Sequence, residues 1–196
     1  MKLGGRRGTR LYDQLLRAAD AYAQDHEKDA LRLLRPLREE LPGSPSVREL
    51  YGLALYRSGR YKEAAKELEV FTELSGDVDQ HPVLMDCYRA LGNGDRVHEL
   101  WHELGEASPS AELVTEGRIV VAGLMADQGR LDDAVVLLAK RIGNVQKPKP
   151  YHLRLWYALA DLRERAGDVP GARQLFERVA RADRSFADVA ERLAAL

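Results

Sequence analysis

A single cysteine, Cys87, occurs in the 196 residues, so no disulfide can form within the chain and no cysteine cluster can hold a metal. That usage fits a reducing compartment. Aromatic residues are sparse at 7%, and neither charge is in excess, with 30 basic residues against 31 acidic ones for a net charge of -1. Such a balance makes no global field that would draw in nucleic acid or an anionic membrane surface, so binding of either would need a local patch. Long hydrophobic runs are missing too. No stretch approaches the roughly eighteen uncharged apolar residues that cross a bilayer, and no apolar leader follows Met1 and Lys2. A cytoplasmic protein without a membrane span is expected, and no segment sustains the alternation of a half-buried strand.

Hydrophobic residues make up 45% and charged residues 31%, enough for a sizeable core under a solvated surface. Their order is periodic. The segments RSGRYKEAAKEL (57–68), RALGNGDRVHEL (89–100), ADQGRLDDAVVL (126–137) and RAGDVPGARQLF (165–176) share one punctuation, a glycine followed five residues later by a small or β-branched residue. The pairs are Gly59 with Ala64, Gly92 with Val97, Gly129 with Ala134 and Gly167 with Ala172; the stretch from Asp25 to Ala30 has the spacing without the glycine. Ala30, Ala64, Val97, Ala134 and Ala172 follow one another at intervals of 34, 33, 37 and 38 residues. A glycine that takes the left-handed conformation ends one helix, and a small residue lets the next pack closely against it, so each period reads helix, turn, helix. Apolar residues at three and four intervals, such as Leu50, Leu53 and Ala54 before Gly59 and Ala64, Leu68 and Phe71 after it, support both helices.

These residues resemble the tetratricopeptide repeat pattern of W-x2-L-G-x2-Y, then A-x3-F, then P, over about 34 residues. Trp156, Leu159 and Ala160 with Ala172 and Phe176 form the best copy, and Tyr51, Gly52 and Leu55 with Ala64 and Leu68 the next. Ala18, Ala21, Ala30 and Leu34, closed by Pro42, make a degenerate first copy; Leu84, Tyr88, Val97 and Trp101 make the third, with Met85 where a small residue is usual; Val121, Ala122, Met125, Ala134 and Leu138 make the fourth. Five copies in phase carry far more weight than any one of them. The resemblance implies an all-α, right-handed α-solenoid of about five hairpins, over 11–44, 45–77, 78–107, 111–145 and 151–184. A flexible basic tail over 1–9 (Lys2, Arg6, Arg7) would precede it, and a capping helix over 185–196 would follow, carrying the stripe Phe186, Val189, Leu193 and Leu196. Extra residues at Ser108, Pro109 and Ser110 and at Gln146–Pro150 (QKPKP) mark insertions between hairpins, where proline favours extended connectors. The richness in Ala, Arg and Leu resembles that of bacterial, high-GC family members.

One enzyme-like motif competes with this reading. His98-Glu99-Leu100-Trp101-His102 is a literal H-E-x-x-H, in which two histidines a helical turn apart bind zinc beside a glutamate base. Gly105 continues the extended form, but Ser108 stands in the third-ligand slot, leaving Glu112 and Glu116 as the only downstream carboxylates to invoke. The repeat phase accounts for Trp101 by itself, with Val97, Leu100, Trp101 and Leu104 packed inward and His98 and His102 outward. Gly92-Asn93-Gly94 follows a helix, not a strand, and reads as a turn and not a phosphate loop. Cys87, with no base at a recognisable spacing, reads as a buried structural thiol. No cofactor is expected.

In the family the first helices of successive hairpins line a concave groove. Carried onto this chain, that groove presents Tyr12, Leu15, Tyr22, Leu53 and Tyr56 at its N-terminal part. Glu49, Asp79, Asp86, Glu116 and Asp127 would lie in the middle with Arg57 and Arg89, and Arg154, Tyr157, Asp161 and Arg165 at the far end. The slots that clamp a C-terminal carboxylate in some members hold Leu15, Ala19, Leu50, Asp79 and Val83 here, which disfavours that ligand. The expectation is a non-enzymatic scaffold that binds another protein or peptide, with a zinc hydrolase and self-assembly through the end hairpins as alternatives.

Overall fold

The computed structural model of the protein describes residues 5–107, 110–143 and 145–196, and Lys2 of the basic start and Ser108 and Pro109 of the first insertion lie outside them. The described residues form eleven helices and no strand. Eight pair as hairpins: α1 (Arg6–Ala23) with α2 (Glu27–Glu40), α3 (Pro45–Arg57) with α4 (Tyr61–Ser75), α7 (Ala111–Asp127) with α8 (Leu131–Ala139), and α9 (Pro150–Arg165) with α10 (Val169–Ala182); between them α5 (His81–Ala90) is followed across a turn by α6 (Gly94–Glu106). The eleventh, α11 (Val189–Ala195), follows alone. The chain divides into two compact units, Met1–Arg96 and Val97–Leu196, with the division inside α6.

The five turns that follow α1, α3, α5, α7 and α9 are built alike. Gly59, Gly92, Gly129 and Gly167 adopt φ of 72°, 73°, 78° and 83°, and Asp25 takes the same place in the first turn with φ 56°. The backbone N–H after each of these residues reaches back across the turn to a carbonyl five residues earlier: His26 to Ala21, Arg60 to Leu55, Asn93 to Tyr88, Arg130 to Met125 and Asp168 to Arg163. This bond closes the end of the first helix and points the chain into the second. Asp25 tolerates the left-handed region better than most side chains, which explains how the first copy does without glycine. Five residues on, Ala30, Ala64, Val97, Ala134 and Ala172 are all fully buried, as close helix contact requires.

Within the first unit each helix packs on its chain neighbours, α1 on α2, α2 on α3, α3 on α4 and α4 on α5. The contacts are close: a Cβ at Gly52 would sit 2.7 Å from Leu68 Cδ2, so only glycine lets α4 approach α3 this far. Leu34, Leu68 and Met85 are fully buried, the methionine filling the space that a smaller residue would leave. Burial of each such side chain stabilises the fold by roughly 1.5–3 kcal/mol. One charged cluster is also buried. Arg48 Nη1 lies 2.5 Å and Arg38 Nη2 3.0 Å from the Glu67 carboxylate, while Arg48 Nε donates to the Pro42 carbonyl at 2.9 Å. It ties α2, α3 and α4 together.

Within the second unit α7 packs on α8 and α9, α8 on α9, α9 on α10, and α10 on α11. Trp156, Leu159 and Phe176 form the centre of its core. Two boundaries differ from the sequence reading. Residues 6–9, expected in a flexible tail, belong to α1, because Arg7 and Arg10 both reach Glu40 of α2, each at 3.3 Å. Phe186, expected on the capping helix, precedes it: Ala187 turns the chain with φ 47°, α11 starts at Val189, and Phe186 packs instead beside Tyr157.

Candidate partner-binding surface

In the first unit the first helices α1, α3 and α5 are joined by side chains about thirty residues apart. Arg57 donates to Asp25 Oδ1 at 2.9 Å and to the Tyr22 carbonyl at 3.0 Å, with its guanidinium 3.8 Å over the Tyr22 ring. Gln80, which precedes α5, donates to Glu49 at 2.8 Å. Tyr56 OH donates to Asp86 Oδ2 at 2.6 Å, and Arg89 Nε donates to the other oxygen of the same carboxylate at 2.8 Å. Burial, reinforced by the hydrogen bond to Asp86, raises the Tyr56 phenol well above its ordinary value, so it remains a donor at any physiological pH. The structure thus brings Tyr56, Asp86 and Arg89 together, Tyr22 with Arg57, and Glu49 with Gln80. Leu15 and Leu53 are partly buried, while Tyr12 is 61% exposed. Asp79 sits in the turn before α5, its N–H bonded to Asp77, and not on a first helix.

In the second unit Arg154 of α9 binds both Glu112, at 3.0 Å, and Glu116 of α7. Asp161 meets Arg165 at 3.7 Å and Arg192 of α11 at 3.0 Å, and Tyr157 OH donates to Asp188. Asp127 is exposed at the end of α7. Asp86 and Glu116 of the expected middle and Asp161 of the expected far end each hold an arginine. The sequence reading missed this because charge composition does not say which arginine folds against which acid. It also missed Leu16, 45% exposed one turn beyond Tyr12, which extends the apolar surface of α1.

The H-E-x-x-H segment lies within the amphipathic helix α6. Val97, Leu100 and Leu104 of α6 are buried, His98 and His102 are exposed on its other side, and His102 Nδ1 lies 3.6 Å from Glu106. Glu112 and Glu116, the carboxylates that a zinc site would have to recruit, hold Arg154. Among the described residues no group of three or more His, Cys, Asp or Glu side chains is arranged to hold a metal ion. Trp101 instead packs against Gly117 of α7, where a Cβ would sit 2.9 Å from its ring and 2.7 Å from Leu104 Cδ2. Burial, then Asp86, pushes the Cys87 thiol up to about 12, far from a reactive thiolate.

Known proteins share this fold. The tetratricopeptide repeat family model matches residues 15–77 and 122–187. A thermophilic tetratricopeptide repeat protein of Thermus thermophilus superposes with a TM-score of 0.73 at 16% identity, over 94% of this chain and 97% of that one. MamA gives 0.59 at 14% identity over 94% and 96%. YrrB, described as a tetratricopeptide repeat protein with an unusual peptide-binding site, gives 0.52 at 17% identity over 93% and 91%. No curated protein matches the sequence.

Proposed function

This chain belongs to the tetratricopeptide repeat family, and from that premise we propose that it is a non-enzymatic, cytoplasmic scaffold whose first-helix faces hold a segment of another protein. The observation that carries the reading is the composition of the face in the first unit. Tyr56 bonds the Asp86 carboxylate, Leu53 shares α3 with Glu49, and Tyr12 and Leu16 are exposed on α1, so these first helices carry both apolar or aromatic side chains and carboxylates. A carboxylate has room for about four hydrogen bonds, and the Asp86 contacts to Tyr56 and Arg89 take up two, so it is held in place with acceptor capacity left for a partner. The fitting partner is a segment with apolar and basic side chains, the former on the aromatic residues and the latter on the carboxylates. That YrrB has a peptide-binding site on a similar fold supports the same reading.

The test is affinity purification with quantitative mass spectrometry. Against the wild-type chain, Tyr56→Ala and the set Asp86→Lys, Glu116→Lys and Asp127→Lys are expected to lose a defined partner while keeping the helical circular dichroism. An unchanged partner set in correctly folded variants rejects the reading.

A further inference from the structure

We propose that the last hairpin carries a second docking site, separate from the first-helix face, for an acidic peptide segment in which an apolar side chain is flanked by carboxylates. The site is a cavity of about 470 Å³ where α9 begins and α10 ends. Its apolar lining comes from Leu153 and Trp156 of α9, from Phe186, and from Pro148 and Pro150 of the QKPKP connector, which thereby acquires a role beyond joining two hairpins. Arg178 and Arg181, one turn apart on α10, complete the lining.

These two arginines differ from others of the unit. Arg154 and Arg192 are neutralised by carboxylates, whereas Arg178 donates only to the Gly143 carbonyl at 2.6 Å and Arg181 only to the Glu177 carbonyl at 3.3 Å. Among the described residues neither forms an ion pair. Burial, and then the repulsion of Arg181, lowers the affinity of Arg178 for its own proton, as expected of a cation lacking its counter-ion. The acid in the lining, Asp183, accepts the N–H and hydroxyl of Ser185 through Oδ1 at 2.9 and 2.7 Å and keeps its charge, so two arginines face one carboxylate. Exposed Lys147 and Lys149 flank the connector residues of the wall. Trp156, 2% exposed, keeps its indole N–H buried with no acceptor among the described residues. An excess of cation over anion above an apolar floor defines the complement: carboxylates beside an aliphatic or aromatic side chain. Nucleic acid fits less well. The Trp156 ring is covered by the Arg178 guanidinium at 3.8 Å and offers no open platform for a base.

The probes are a blocked synthetic pentapeptide, Glu-Leu-Asp-Phe-Glu, and its neutral counterpart, Gln-Leu-Asn-Phe-Gln. Binding is measured by calorimetry on the wild-type chain and by fluorescence in Trp101→Phe, where Trp156 is the sole tryptophan. The acidic peptide is expected to bind saturably, to move Trp156 emission, and to weaken at least tenfold in Arg178→Gln/Arg181→Gln and on raising the ionic strength tenfold. Asp86→Lys should leave it unchanged, which separates this site from the face proposed above. Absence of calorimetric binding, equal binding of the neutral peptide, an unaffected double variant, or tighter binding of a single-stranded oligothymidylate would each overturn the proposal.

Discussion

Replacing Glu67 with leucine should destabilise the first unit by about 3 kcal/mol. The Glu67 and Arg48 side chains are only 7% and 10% exposed, so they have little water to fall back on. Removing one member of a buried pair costs about 3–5 kcal/mol, because the remaining charge keeps its desolvation penalty and loses its partner. Two features place this case at the lower end. Arg38 is 43% exposed and can return to water, and Arg48 keeps the Pro42 carbonyl. About 3 kcal/mol corresponds to roughly a hundredfold shift in the unfolding equilibrium, and for a unit of this size to a fall of about 12 °C or more in Tm. Both tryptophans lie beyond Arg96, so urea and thermal unfolding are best followed by far-ultraviolet circular dichroism. The double variant Arg48→Met/Glu67→Leu removes both charges together and should return to within about 1 kcal/mol of the wild type. A cost below about 1 kcal/mol for Glu67→Leu, or a double variant as damaged as the sum of its single changes, would refute the reasoning.

Gly117→Ala places a methyl group 2.7 Å from Leu104 and 2.9 Å from Trp101, and should cost about 1–3 kcal/mol with a change in Trp101 emission; unchanged stability and emission would count against the packing. Gly59→Ala meets no neighbouring atom, so its penalty of about 1–2 kcal/mol should come from the left-handed backbone alone. Cys87 should resist alkylation at pH 8 in the folded chain and react at once in denaturant, since its thiol is pushed up to about 12. Tyr88, partly buried and hydrogen-bonded to Glu69, is likewise raised to about 12. Because its folded pKa exceeds the ordinary 10, its contribution to stability is complete below pH 10 and lost as pH rises towards 12. In a spectrophotometric titration of the folded chain, Tyr88→Phe should therefore remove one phenol from those ionising near pH 12 and none from those near pH 10, and a loss near pH 10 would contradict the assignment.

Local signals carried most of the fold in the sequence. A glycine at a fixed distance from a buried small residue is a constraint within a few residues, and all four turn glycines took the conformation that the period demanded. Asp25 was legible only through that period, since its residue type alone would not mark a left-handed turn. Features that depend on residues far apart were not legible. The basic start looked like a tail because Glu40, the partner of Arg7 and Arg10, lies some thirty residues on in another helix. The arginine that Glu116 holds was not legible for the same reason, since it lies on α9, nor was the hydrogen bond that Asp86 receives from Tyr56 of α3. Gly117 was hidden because it precedes the signature residues of the fourth copy, which begin at Val121; its role follows from where Trp101 and Leu104 come to rest.

The central claim, that a partner lies on the first-helix face, is tested most directly by photo-crosslinking. A benzophenone amino acid at Leu53, on α3, is compared with one at Val136, which is 51% exposed on the second helix α8. The account predicts that the purified partner crosslinks from position 53 and not from position 136. Crosslinking from 136 with none from 53 would contradict it.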